Sequence, residues 1–280
     1  MPSGTASRTA TRRVPETRLD TLLAARGLVR SRTAAARLVQ DGRVTVNGRP
    51  VVKASTLVDD TASLAVEVES EWVSRAAGKL IAALDAFAVD PNGRVVLDVG
   101  ASTGGFTQVL LARGADRVLA LDVGHGQLDP QIRADRRVVA VEGCNVRTLT
   151  PVDFDAIDSA ACRTSLIVGD LSFISLRLVL PALAACTPAD TMVLLVKPQF
   201  EVGRSGVREG IVHNADLRHD SVMNVLWAAW DLGFGTDGVI ESPVVGTHGN
   251  REYLVHLRRS HGRNPTEWID RVTQLTGGAG

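Results

Sequence analysis

Val95-Val96-Leu97-Asp98-Val99-Gly100-Ala101-Ser102-Thr103-Gly104-Gly105-Phe106 is the stretch on which the reading of this chain turns. Its apolar start suits a strand covered on both faces. Gly100, Gly104 and Gly105 then permit positive φ or a close approach of the backbone to a ligand. Thr103 is placed to cap a helix that continues through Gln108-Val109-Leu110-Leu111-Ala112-Arg113 and ends at Gly114. Strand, glycine turn and helix N-terminus in succession form a ligand seat in open α/β sheets.

Downstream, the pattern of such a sheet repeats. Arg117-Val118-Leu119-Ala120-Leu121-Asp122 reads as a second buried strand ending in an acid, where a ribose hydroxyl pair is gripped in folds of this kind. Val138-Val139-Ala140-Val141 is a third strand, leading into a loop with Asn145 and Val146 at the expected place for a base. A fourth strand, Leu166-Ile167-Val168-Gly169, delivers Asp170 at its carboxyl end. Thr191-Met192-Val193-Leu194-Leu195-Val196 is a fifth, and Lys197 follows it directly. A long helix over 214–230 and two last strands, 238–244 and 253–258, complete the series, with Glu252 opening the final strand.

The chain has 280 residues, enough for two domains, and 45% of them are hydrophobic. No run reaches the roughly 18 uninterrupted apolar residues of a membrane helix. The N-terminus is polar and arginine-bearing, without the apolar segment of a signal peptide. Cys144, Cys162 and Cys186 lack metal-type spacing and read as free thiols of a reducing cytoplasm, so no metal is expected. The formal net charge is zero, yet residues 1–60 hold 11 Lys/Arg against 5 Asp/Glu. A basic first fifth on an acidic body points to a polyanion-facing module joined to something else. Only three of the 31 basic residues are lysine: Lys53, Lys79 and Lys197. Lysine persists where a compact ammonium able to lose its proton is needed, which arginine cannot supply.

Residues 1–16 read as a disordered tail, 17–68 as a small α+β module, 69–75 as a linker, 76–258 as the α/β domain and 259–280 as a polar tail. In the small module, Ser31 is placed to cap a second helix, and Asn47-Gly48 between Val44-Thr45-Val46 and Val51-Val52 signals a two-residue hairpin. In the linker, Trp72 is placed to pack the two domains together, and Ser74 to cap the helix that carries Lys79. The small module resembles an S4 RNA-binding domain through Arg18-Leu19-Asp20, Ser31-Arg32, Ala35 and Gly42-Arg43-Val44-Thr45-Val46-Asn47-Gly48. That resemblance implies binding to structured RNA. Arg18, Arg26, Arg30, Arg32, Arg37 and Arg43 are the residues expected to meet phosphates.

The glycine stretch is no phosphate loop, because no lysine follows Gly105, and it lacks the Gly-x-Gly-x-x-Gly of nicotinamide sites. It resembles motif I of class I S-adenosyl-L-methionine-dependent methyltransferases. The resemblance implies a Rossmann-like, mostly parallel seven-stranded sheet. Asp98, Gly100, Ser102, Thr103, Gly104, Gly105, Phe106, Asp122, Asn145, Val146 and Asp170 would then lie around S-adenosyl-L-methionine. Lys79, Asp170, Lys197 and Glu252 occur in the order and places of the Lys-Asp-Lys-Glu tetrad of FtsJ-like ribose 2'-O-methyltransferases. Each has an ordinary structural reading alone, as a snorkelling lysine, a helix cap or a strand-edge acid; the four together do not. An S4-like module followed by an FtsJ-like domain resembles the TlyA family. This implies cytidine 2'-O-methylation of rRNA, on ribosomal subunits. Nothing in the chain supports a membrane partner, and Lys197 is the candidate to take the hydroxyl proton. A non-enzymatic ribosome-assembly factor and a haemolysin are the competing readings, since some members of that family have been called haemolysins.

Overall fold

A computed structural model describes residues 16–29, 31–40, 42–66, 72–203, 206–246 and 249–277; the Arg37 side chain also lies outside the description. The chain divides into two compact units, Met1–Ser70 and Glu71–Gly280.

In the small unit, β1 (Glu16–Arg18) leads into α1 (Leu19–Ala25), α2 (Arg32–Gln40), β2 (Val44–Val46), β3 (Arg49–Pro50), β4 (Leu57–Asp59) and β5 (Leu64–Val66). β1 pairs with β4, and β2 lies between β3 and β5. Leu19, Leu22 and Leu23 of α1 bury against Ala35 and Val39 of α2 and against Val44 and Val58. Ser31 starts α2 by accepting the Ala34 N–H at 3.2 Å, as an N-cap does. Asn47 and Gly48 have φ of 51° and 76°, the left-handed pair of a two-residue hairpin. The turn places Arg49 opposite Val46 and Pro50 opposite Thr45. The returning strand is therefore 49–50, and Val51 follows it with a single bond to the Val44 carbonyl.

The large unit runs α3 (Ala76–Phe87), β6 (Val95–Val99), α4 (Gly105–Ala112), β7 (Arg117–Leu121), α5 (Pro130–Arg133), β8 (Val138–Val141), α6 (Pro151–Asp155), β9 (Thr164–Gly169), α7 (Leu176–Cys186), β10 (Thr191–Val196), α8 (Pro198–Glu201), α9 (Ala215–Trp230), β11 (Phe234–Glu241), β12 (Tyr253–Arg259) and α10 (Ile269–Thr276). Its seven strands lie in the order β11-β12-β10-β9-β6-β7-β8. Only β12 runs antiparallel to its neighbours, β10 and β11. After β6 the chain winds outward through β7 and β8, then returns to β9 on the other side of β6. Ligands of such sheets sit at the carboxyl edge where the winding reverses.

Strand parity sorts the core into two layers. Val96 of β6 packs with Leu80 and Leu84 of α3 and Val109 and Leu110 of α4. Leu97 and Val99 face the layer built from α7 and α9. Trp72 packs against the α3/α4 layer, within the large unit itself. Ser74 accepts the Ala76 N–H at 3.2 Å, just ahead of α3. The polar C-terminal stretch is not a tail throughout, because α10 is docked. Val272 is fully buried. Arg218 donates to the Thr276 carbonyl at 2.7 Å and Arg251 to that of Leu275 at 2.8 Å, satisfying carbonyls a helix end leaves open.

Candidate active site

The glycine loop leaves β6 and closes onto neighbouring chain. Gly100, at φ +80°, lies so near the loop after β9 that a Cβ there would sit 3.1 Å from the Asp170 carbonyl oxygen. Gly104, at φ +96°, is itself the N-cap of α4, with no side-chain cap. Thr103 is exposed and does not cap the helix, because the left-handed turn at Gly104 carries the chain past it. The first N–H groups of α4 are thus left without a capping side chain.

Two recesses meet at this edge. One, about 480 Å³, is lined among others by Gly100, Ser102, Leu121, Asp122, Asn145, Val146 and Asp170. The other, about 280 Å³, is lined by Lys79, Lys197, Glu252, Arg75, Thr103, Gly105 and Phe106 among others, and it shares Gly100, Ser102, Asp170 and Ser172 with the first. Nine of the eleven residues expected around a cofactor lie on these walls. Asp98 and Gly104 do not. Asp98 has the parity of Val96, so its side chain points under α4, where it accepts the Thr107 hydroxyl at 2.6 Å. Burial pushes its carboxyl up to about 7, with the Thr107 bond opposing the shift. Gly104 turns its Cα toward Ile132 and Leu128, whose methyls a Cβ would meet at 2.7 and 2.8 Å. Both residues shape the loop from behind.

Asp122 accepts the Ser102 N–H at 2.8 Å and the Gly124 N–H at 2.7 Å, one on each oxygen. Each oxygen keeps a further acceptor site for a hydroxyl. Asn145 caps the turn over Val146–Thr148 by accepting the Arg147 N–H at 3.1 Å.

Around the smaller recess four ionisable side chains alternate in sign. Lys79 lies on the inward face of α3, where an ammonium is costly unless paired. Its Nζ donates to Glu252 Oε2 at 2.7 Å and to Asp170 Oδ2 at 3.4 Å. Asp170 Oδ1 lies 2.6 Å from Lys197 Nζ, as an ion pair outside hydrogen-bond geometry. Lys197 donates to Ser172 Oγ at 2.8 Å. Lys79, Lys197 and Glu252 are each under a tenth exposed. Side chains from α3 and from the ends of β9, β10 and β12 are thereby brought to one point.

Ser172 and Phe173 were not among the site residues expected from the sequence. Phe173 is 91% exposed on the rim of the larger recess, at φ +65°, its ring 5.2 Å from that of Phe200. An aromatic in a loop has no periodicity to betray it. The only signal was its place between Asp170 and Ser175.

In the small unit the expected phosphate-facing residues separate. Arg26 is committed internally, donating to the Ala62 carbonyl at 2.6 Å and to that of Asp60. Arg18 pairs with Asp20 at 2.8 Å, and Arg32 approaches the same carboxylate at 3.5 Å, about three-fifths exposed. The Arg18 bond first, then the Thr21 hydroxyl bond, and last the Arg32 charge hold the Asp20 carboxyl well below the usual range. Arg43 is half-buried ahead of β2. Arg30 and the Arg37 side chain fall outside the described residues. No group of acids, histidines and cysteines able to hold a metal ion occurs among the described residues.

Comparison with known proteins bears on both units. The FtsJ-like methyltransferase family matches residues 72–259, and the S4 domain matches residues 17–62. The 16S/23S rRNA (cytidine-2'-O)-methyltransferase TlyA of Mycobacterium tuberculosis is 51% identical over 245 residues, covering 86% of this chain and 89% of that protein. The chain belongs to the TlyA family of FtsJ-like methyltransferases. Hemolysin A of Brachyspira hyodysenteriae is 38% identical over 86% of this chain and 99% of its own length. A solved structure from Streptococcus thermophilus, also carrying a hemolysin name, is 39% identical, with a TM-score of 0.71 over 95% of this chain and 97% of that one. Like other FtsJ-like enzymes, this TlyA-family chain is a methyltransferase built on a mostly parallel seven-stranded sheet, with an S4 domain before it. No helix among its described residues is long and apolar enough to cross a membrane.

Proposed function

We propose that this enzyme transfers a methyl group from S-adenosyl-L-methionine to the ribose 2'-hydroxyl of a cytidine in ribosomal RNA, acting in the cytoplasm on ribosomal subunits. The observation that carries the reading is the run Glu252–Lys79–Asp170–Lys197–Ser172, gathered where the two recesses join. Burying three ionisable groups beside a half-buried fourth is costly, and a protein that merely held RNA would gain nothing from it.

The larger recess fits the methyl donor by the chemistry of its walls. Asp122 would take the ribose hydroxyl pair on its remaining lone pairs. Leu121, Val123 and Val146 offer apolar contact to adenine, with Asn145 at its edge. The backbone of the glycine loop and the uncapped start of α4 would receive the methionine carboxylate. When bound, S-adenosyl-L-methionine supplies an electrophilic methyl group on a sulfonium.

The protein must then orient a weakly acidic hydroxyl and dispose of its proton. Lys197 would take the hydroxyl proton on its Nζ as the C–O bond forms and the methyl group leaves sulfur, with a methyl ether and an uncharged sulfur as the products. Asp170 and Ser172 fix the Lys197 amine. Lys79, itself held by Glu252, fixes Asp170 from the other side. Phe173 offers its exposed face to the base of the target nucleotide, which must leave its stack for the ribose to enter. Replacing Lys197 by Ala or Arg tests the assignment. Methyl transfer is expected to fall by about a hundredfold or more, with the donor still bound; undiminished transfer at neutral pH would refute it.

A further inference from the structure

Two segments carry four of the groups just described. One is the loop 170–175 after β9, with Asp170, Ser172 and Phe173. The other is Lys197 with the single turn α8, which ends at Glu201. They touch at successive rungs. Lys197 pairs with Asp170 at 2.6 Å and with Ser172 at 2.8 Å. Phe200 meets Phe173 with ring centroids 5.2 Å apart. At the far end, Glu201 Oε2 accepts the Ser175 hydroxyl at 2.5 Å and Oε1 accepts the Leu176 N–H at 2.8 Å.

The last rung differs from the others in kind. Glu201 does not touch the recesses. Its carboxyl is pushed up by burial, against the pull of the two donors it accepts from. A buried carboxylate is tolerated because it meets the open N–H groups and positive end of α7. Yet α7 already has its own N-cap, for Ser175 Oγ accepts the Arg177 N–H at 3.2 Å. What Glu201 adds is a tie across the two segments, at the end of the loop whose other end bears Asp170. That loop also holds a non-glycine residue, Phe173, at φ +65°, a conformation that persists only where its surroundings enforce it.

We infer that Glu201 is a positioning residue for methyl transfer: it fastens loop 170–175 to the Lys197 segment and so sets Asp170 and Ser172 against the Lys197 amine. The inference rests on the methyl-transfer reading above. Displacement of such groups by about an ångström costs on the order of a hundredfold in rate.

The test uses the full chain as Glu201→Ala, Glu201→Gln and Ser175→Ala, with Lys197→Ala alongside. Methyl transfer from labelled S-adenosyl-L-methionine to ribosomal subunits is measured across pH. Rates are expressed per donor-binding site counted by calorimetry, which removes any unfolded fraction. Glu201→Ala is expected to lower kcat per site by about ten- to a hundredfold and to displace the pH–rate profile, because Lys197 is no longer held by its neighbours. Glu201→Gln, whose amide still bonds both Ser175 Oγ and the Leu176 N–H, should recover most of the rate. Ser175→Ala, which keeps only the Leu176 bond, should fall between. A residue that only stabilised the fold would lower the number of sites and leave both kcat per site and the profile unmoved; that result overturns the inference. Should Glu201→Ala not fold, wild-type kcat and profile in both Glu201→Gln and Ser175→Ala overturn it equally. Full transfer by Lys197→Ala would instead strike the underlying reading, whatever Glu201 does.

Discussion

Lys197 shows how little of an active site one side chain decides alone. Its amine is flanked by a carboxylate and a hydroxyl, and that carboxylate is held in turn by a second lysine and a second acid. A guanidinium could keep the charge but could not take a proton. The rates of Lys197→Ala and Lys197→Arg should therefore collapse together, and a methyl-transfer assay that found Arg active would exclude proton acceptance. Asp98 makes a different prediction. Its folded-state carboxyl sits near 7, above the ordinary value, so the native chain holds an extra proton between about pH 4 and 7. That proton is lost as pH rises, so stability at this site is fully present at low pH and declines toward pH 7. The drop is at most about 4 kcal/mol, roughly three pH units of linkage. Asp98→Asn should flatten the Tm-against-pH curve between about pH 4 and 7; an unchanged curve would disprove the linkage. The four residues were legible through their resemblance in order and place to the FtsJ-like pattern, and two of the chain's three lysines, Lys79 and Lys197, fall there. That Asp98 faces α4 and not a ligand was not legible from the motif, which gives spacing but no parity; only the neighbouring Val96 and Leu97 reveal which layer it joins.

At the scale of elements, the loop from β6 to α4 rests on glycine for two separate reasons. Gly100 lets the loop after β9 approach, and Gly104 makes the left-handed turn that starts α4. Gly104→Ala places a Cβ against the ends of two flexible side chains, so the backbone strain dominates, about 1–3 kcal/mol. Thermal denaturation should register that loss. Calorimetry should find weaker donor binding too, since the loop forms the wall of the recess; unchanged affinity would detach Gly104 from the site. The strands and the Asn47-Gly48 hairpin could be read locally, since alternation, apolar runs and turn residues are local properties. The docked α10 could not. Its capping donors, Arg218 and Arg251, come from α9 and from the chain just before β12, and nothing within 259–280 announces them.

For the whole molecule, the neutral net charge hides a division of labour. The basic excess lies in the first 60 residues, and binding to a polyanion through it should weaken steeply with salt. Arg32→Ala and Arg43→Ala should each reduce the salt slope of subunit binding by about one. Arg26→Ala should instead lower Tm, since its guanidinium holds the Asp60 and Ala62 carbonyls. Equal slope changes at all three would erase that distinction. The methyltransferase unit that follows is left to do the chemistry, and the most direct measurement is where its methyl group goes. Ribosomal subunits treated with the enzyme and labelled S-adenosyl-L-methionine, then digested to nucleosides and resolved by mass spectrometry, should carry the label on the ribose of a cytidine, and about a hundredfold less of it after treatment by Lys197→Ala. Label on a nucleobase, or no transfer by an enzyme that binds the donor, would contradict the ribose 2'-hydroxyl as the acceptor.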